Sequence, residues 1–139
     1  MKVAIKKVGM NLQIKEDDTQ YRTEFAKSVI NDYPEYVSMQ DGWLFCCVDE
    51  EGLLKGLPTN FLMEMNSDTF PLQKIVGDVV FVRCKPVNFF MEEVYDLEIV
   101  DLTDTDIEVI NDLLSNDTQA RLKEKFKDYG NNSFGYKLF

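Results

Sequence analysis

Histidine is absent from the 139 residues. That absence removes the usual nucleophilic triads, most general acid–base schemes at neutral pH and the commonest zinc ligand. Cysteine is scarce and odd in number, with three in all. Cys46 and Cys47 are neighbours, so on a strand their side chains point to opposite faces, and Cys84 stands alone. This spacing argues against a disulfide framework and a metal centre, and the three thiols are expected as small core hydrophobes. Glycine and proline are few, at 7 and 4 residues. No Gly-rich phosphate loop, linker, repeat or low-complexity tract is present; Gly52 and Gly56 merely flank Leu53-Leu54-Lys55 as turn punctuation. A calcium loop is missing as well, because Asp101, Thr103, Thr105 and Asp112 lack its central glycine and terminal glutamate. No apolar run approaches the ~18 residues of a membrane span. Lysines 2, 6 and 7 break the N-terminus where a signal peptide would be apolar, so a cytoplasmic protein is expected.

Positive charge is short too. The formal net charge is −10, and from Pro86 to Ala120 there is no lysine or arginine. That span instead carries Glu92, Glu93, Asp96, Glu98, Asp101, Asp104, Asp106, Glu108, Asp112 and Asp117. Such a surface repels DNA, RNA and anionic lipid, so neither direct nucleic-acid binding nor membrane attachment is expected. Its plainest role is a solvated face that keeps the protein soluble.

Hydrophobic residues are plentiful. At 45% of the chain they support one globular domain with a core of its own. Residues Lys2 to Val8 and Leu12 to Lys15 read as a first strand pair around Gly9-Met10-Asn11. A capping-rich acidic stretch then opens a helix over Gln20 to Asn31, with Tyr21, Phe25, Ala26, Val29 and Ile30 as its apolar stripe, and Pro34 stops it. Glu35 to Met39 and Trp43 to Val48 form a hairpin around Asp41-Gly42, with Trp43 in the core. After a second turn at Asp49 to Gly52, residues Leu53, Leu54 and Leu57 re-enter the core. Phe61 to Leu72 reads as a short helix or loop. Ile75 to Cys84 is the strongest later strand, followed by a loop from Pro86 to Met91 and a last strand over Val94 to Val100. Thr103 and Asp106 make a capping box for a helix whose Ile107, Ile110, Leu113 and Leu114 face inward. Asn116 or Asp117 caps another helix, with Leu122, Phe126 and Tyr129 on one side and Gly130 as its stop.

The expectation is therefore a single α+β domain. Its sheet is mainly antiparallel, of about five to six strands, with one early helix and two C-terminal helices. Residues 1–111 form the core, and 112–139 form a helix and an aromatic tail packed on the same domain or on a second subunit.

Several of these features occur together in a known family. Tyr36-Val37, Asp41-Gly42, Asp49-Glu50-Glu51-Gly52, Ile75-Val76-Gly77 and Leu102-Thr103-Asp104-x-Asp106-Ile107 surround the corner Gly52-x-Leu54-Lys55-Gly56-Leu57-Pro58-x-Asn60. Over roughly residues 1–111 the chain resembles the domain of unknown function 3846 family. The family usually follows the asparagine with a basic residue, where this chain has Phe61. The resemblance implies a small accessory protein of a phage, plasmid or mobile element, in an anti-defence setting, with no established activity.

Within that setting a non-enzymatic binding role is expected, with no cofactor and no metal. The first reading is counter-defence by docking on a host defence or replication protein. Phe134, Tyr136 and Phe139 in the tail, together with Glu92, Glu93 and Asp96, would form the partner surface. The second is an oligomeric sponge that sequesters a nucleotide immune signal, for which Lys55, Arg83, Lys85, Arg121 and Asn60 are the binding candidates. The third is an acidic nucleic-acid mimic built on Glu92 to Asp117, although the basic residues from Arg121 to Lys127 partly spoil it. A homo-oligomer could assemble through the C-terminal region, and a stable oligomer is the mark of the second reading.

Overall fold

A computed structural model describes residues 2–16, 30, 34–39, 43–65, 72–87 and 96–132. Eight strands and two helices lie among them: β1 (Lys2–Lys6), β2 (Gln13–Glu16), β3 (Pro34–Ser38), β4 (Leu44–Asp49), β5 (Thr59–Glu64), β6 (Leu72–Val76), β7 (Val79–Val87), β8 (Asp96–Val100), α1 (Asp104–Leu114) and α2 (Asn116–Asn132). The class is α+β, and every strand pairing described is antiparallel.

The organising element is β7. Its run Val79-Val80-Phe81-Val82 is branched or aromatic at each position, and all four side chains are at most 1% exposed. Burying such side chains contributes about 1.5–3 kcal/mol each, which fits a central strand covered on both faces. On one side β7 pairs with β4, and on the other with β1 and then β8. These last two lie end to end along it. The Leu102 amide donates to the Lys2 carbonyl at 3.0 Å, and the Lys2 amide donates to Asp101 Oδ1 at 2.7 Å. The sheet thus runs β2-β1-β7-β4-β3, with β8 added beside β7.

Period-two alternation sorts the side chains between two cores. Val79 and Phe81 join Ala4, Val37, Leu44, Cys46 and Val48 on one face. Val80, Val82 and Cys84 join Val3, Ile5, Cys47 and Ile99 on the other, with Ile30 added from outside the sheet. Cys46 and Cys47 therefore part to opposite cores, and the three thiols are free and buried. Burial raises the Cys46 thiol far above its ordinary value. Edge-on contact of Tyr36 with Phe45, at 6.4 Å between ring centres, closes the β3 margin of the second face.

A second, two-stranded sheet of β5 and β6 covers the first face. Phe61, Met63 and Ile75 point into the core, and Phe61 stacks on Phe81 at 5.9 Å. Leu62 and Leu72 point the other way and meet Leu122 of α2. Both faces of β5 are thus apolar, so it lacks the alternation that marks a half-buried strand. For that reason the stretch from Phe61 reads as a helix or loop in sequence, whereas its first part is a strand.

The strand expected over Ile75 to Cys84 is divided. Gly77 takes a left-handed φ of 75° and carries the chain from the small sheet to the large one. Trp43 lies just ahead of β4 rather than in the core, and is 41% exposed. Leu53 and Leu54 also stay outside, at 51% and 90% exposed, because consecutive turn bonds from Gly52 to Leu57 hold them at the tip of the loop. The capping box of Thr103 and Asp106 opens α1 as expected. For α2 the cap is Ser115, whose Oγ accepts from Thr118 N, and the helix continues through Gly130 to Asn132. The helix expected over Gln20 to Asn31 lies outside the described residues, apart from the buried Ile30. Among the described residues no helix is long and apolar enough to cross a membrane.

Candidate functional site

Two places gather polar chemistry, the corner after β4 and the outer side of α1. At the corner, Asp49 is buried and accepts from Lys55 Nζ at 2.8 Å and from the Glu51 amide at 2.9 Å. Gly52 is required by crowding: a Cβ there would stand 2.8 Å from Val76 Cγ2 and 3.2 Å from the Asp49 carbonyl. Gly56 supplies a φ of 67°. The Pro58 carbonyl accepts from the Gly77 amide at 2.8 Å. Asn60 Nδ2 donates to the carbonyls of Lys6 and Gly77 at 2.8 and 2.9 Å, and its Oδ1 accepts from Lys6 Nζ at 3.0 Å. Partial burial lowers the Lys6 pKa, with the Asp78 charge pulling the other way.

Asn60 therefore joins β1 to the β6–β7 turn, Pro58 adds a bond to that turn, and Lys55 and Gly56 close the corner on Asp49, Glu51 and Leu53. The corner is fold chemistry, which is why its residues are so particular. Gly56→Ala is expected to destabilise by ~1 kcal/mol and Gly77→Ala by ~1–2 kcal/mol, both read as urea midpoints. The two glycines share a left-handed φ, but a Cβ at Gly77 meets Leu57 Cδ1 at 2.8 Å and one at Gly56 meets nothing within 4 Å.

The other candidate cations are dispersed. Arg83 forms a fork with Asp106, Nε to Oδ2 and Nη2 to Oδ1, both at 2.7 Å. Asp106 is 3% exposed and also accepts from the Thr103 amide at 2.9 Å. Burial alone would raise its pKa, but the Arg83 and Thr103 hydrogen bonds outweigh that and lower it. Arg121 donates to Glu64 at 2.9 Å, with Lys125 on the same oxygen at 3.2 Å. The Arg121 hydrogen bond, with Lys125 behind it, holds Glu64 below the ordinary carboxylate range. These exposed pairs add about 0–1 kcal/mol to stability. Lys85 is exposed on β7 opposite Glu98 in the register. Lys55, Arg83 and Arg121 each meet a different carboxylate, Asp49, Asp106 and Glu64 in turn. Glu92, Glu93, Phe134, Tyr136 and Phe139 lie outside the described residues; Asp96 opens β8.

The outer side of α1 was visible in sequence only as part of an acid run. Asp104, Glu108 and Asp112 recur every fourth residue and are exposed, so they form one row along the helix. Among the described residues none of the three carboxylates has an ion-pair partner. Beside that row Val109, 43% exposed, borders two hollows, the second of which Thr105 also lines. One hollow, of ≈ 290 Å³, is lined by Met39, Met63, Val109, Leu113 and Leu122, with Glu64, Asp112, Thr118 and Arg121. The other, of ≈ 400 Å³, lies by Met39, Leu44, Thr105 and Val109 over the Arg83–Asp106 pair.

The walls of the first hollow are tied together. Gln119 presents its side-chain amide to the open edge of β5, accepting from the Leu62 amide at 2.9 Å and donating to the Leu62 carbonyl at 3.0 Å. The same amide nitrogen reaches the Leu113 carbonyl at 2.7 Å. One side chain thus fixes α1, α2 and β5 in place and blocks strand addition at Leu62. Spacing in the sequence signals the acid row, but not the hollow, whose lining comes from four separate segments. Among the described residues no group of three or more acidic or cysteine side chains could hold a metal. No family model, curated protein or solved structure matches the chain.

Proposed function

We propose that the protein is a non-enzymatic binding protein that docks on another protein through the outer side of α1. The observation that carries this reading is an exposed acid row, unpaired among the described residues, running beside an exposed valine over a hollow with an apolar floor and a polar border. Carboxylates of one sign steer a partner, and a neighbouring apolar recess supplies the contact that holds it. The resemblance supplies the setting: counter-defence in a phage or mobile element, with a host defence or replication protein as the target. The nucleotide-sponge alternative has less support, since its candidate cations Lys55, Arg83 and Arg121 already meet carboxylates within the chain. Mimicry of a nucleic acid calls for charge alone, and Val109 in the same surface favours a protein face.

The test uses the immobilised full chain and its Glu108→Lys/Asp112→Lys variant with lysate of a bacterial host. The last turn of α1 contains no basic residue. Lysine at 112 is favourable to the helix dipole there, so the variant should melt within a few degrees of the native chain. The native protein is expected to retain a host protein that the variant loses, and that salt releases. Equal retention by both chains, or by neither, overturns the reading.

A further inference from the structure

The proposal for α1 can be taken one step further, to the chemistry of its partner. We infer that the hollow between α1 and β5 receives one large apolar side chain of a partner segment whose lysines or arginines lie along Glu108 and Asp112. This rests on the docking reading above.

Size is the first reason. At ≈ 290 Å³ the hollow falls just short of the roughly 300–1,000 Å³ typical of small-molecule sites. It suits one or two side chains better than a cofactor. The lining is the second reason. Met39 and Met63 are unbranched and polarisable, and such side chains repack around varied apolar guests. The elements that form its walls are also fixed beforehand, because Gln119 of α2 ties Leu62 of β5 to Leu113 of α1. A guest therefore meets a formed recess rather than ordering one.

Charge decides between occupants. At the hollow Arg121 shares Glu64 with Lys125, and at the neighbouring hollow Arg83 is paired with Asp106. The row Asp104, Glu108, Asp112 has no ion-pair partner among the described residues and spans about 12 Å at the helical rise. That length accommodates roughly two turns of a partner helix. A second copy of this chain, at net charge −10, would bring like charge to the same row, and an acidic peptide or a phosphate group would do so equally. A basic amphipathic segment with an apolar anchor matches both features at once.

The probe is an alanine-based peptide of about fifteen residues, long enough to hold a helix. It has a central phenylalanine flanked on either side by lysines at three- and four-residue spacing. Binding to the full chain is followed by calorimetry and by amide NMR shifts. The native chain is expected to bind it, with shifts at Val109, Leu113 and Met63. Replacing the peptide phenylalanine by alanine, or Val109 by aspartate, should weaken binding about tenfold, the scale of a central anchor residue. The Glu108→Lys/Asp112→Lys chain should reject this peptide and accept one with glutamates in place of the lysines.

No binding, or binding indifferent to both the phenylalanine and Val109, overturns the inference, the latter being charge adhesion alone. A dimer in light scattering that Val109→Asp converts to a monomer also overturns it, because a second copy then fills the hollow. Failure of the docking reading is recognised separately. If the peptide fails while the chain still retains a host protein through Glu108 and Asp112, the reading stands and the anchor falls. If no host protein is retained at all, the reading itself falls.

Discussion

Replacing Asp106 by alanine is expected to destabilise the fold by roughly 3–5 kcal/mol, the usual result of removing one partner of a buried ion pair. Asp106 is 3% exposed, and its two oxygens receive Arg83 Nε, Arg83 Nη2 and the Thr103 amide. Alanine leaves the guanidinium, 20% exposed in its side chain, without the carboxylate that matches its geometry. It also removes half of the capping box that starts α1. Because much of the loss stems from taking the matching carboxylate from the guanidinium, Arg83→Leu/Asp106→Leu should recover part of it, and urea midpoints of the native chain and the two variants compare them directly.

The same group sets an acid dependence. The folded-state pKa of Asp106 lies below its ordinary value, so near and below that ordinary value the unfolded chain binds more protons than the folded one. Its contribution is therefore complete above the unfolded pKa of about 3.9, and is lost as pH falls through the depressed folded value. Native protein should lose stability on acidification across that window more steeply than Asp106→Asn does. Equal slopes would show that the pair does not titrate as its geometry requires.

Phe81→Ala is the second large effect, expected at about 3–5 kcal/mol. Phe81 is fully buried, lies in register between Ala4 and Cys46, and stacks on Phe61 from the small sheet. Truncation thus opens a cavity at the seam between the two sheets, where several strands would have to move together to fill it. Phe81→Leu keeps most of the volume and should cost about 1–2 kcal/mol. A double-mutant cycle with Phe61→Leu is expected to give a coupling of about 0.5–1.5 kcal/mol. Midpoints should shift without a change in the urea slope, since the extent of unfolding is the same. Independent loss of the small sheet would instead split the transition in two.

What could be read in advance follows from where the determining interactions lie. The strands β1 and β4, the parting of Cys46 from Cys47 and the Thr103–Asp106 box depend on residues close in sequence, so period and spacing reveal them. Strand β5 was hidden because Phe61 and Met63 face one core while Leu62 faces another, leaving no polar side to mark the period. Trp43 and Leu54 differ for the converse reason: a large apolar residue signals burial, yet both stay exposed, Leu54 at the tip of a locally bonded turn. The corner motif was visible as a pattern, though not its purpose. Only the fold brings Lys6 and Gly77 to Asn60 and so accounts for the asparagine. The site divides likewise. Asp104, Glu108 and Asp112 show in the four-residue spacing, whereas Arg83 looks like an available cation until β7 is laid against α1. The hollow itself joins Met39, Met63, Val109 and Leu122, which are distant in the chain, and no local signal announces it.

The docking claim is tested most directly by amide hydrogen exchange of the full chain, alone and with the retained host protein. Exchange is predicted to slow across Asp104–Leu114 and along the neighbouring Thr59–Glu64 strand, where an occupant of the hollow would exclude water and damp local opening. Slowing confined to the corner between Gly52 and Asn60, or to the far side of the large sheet, would contradict the account.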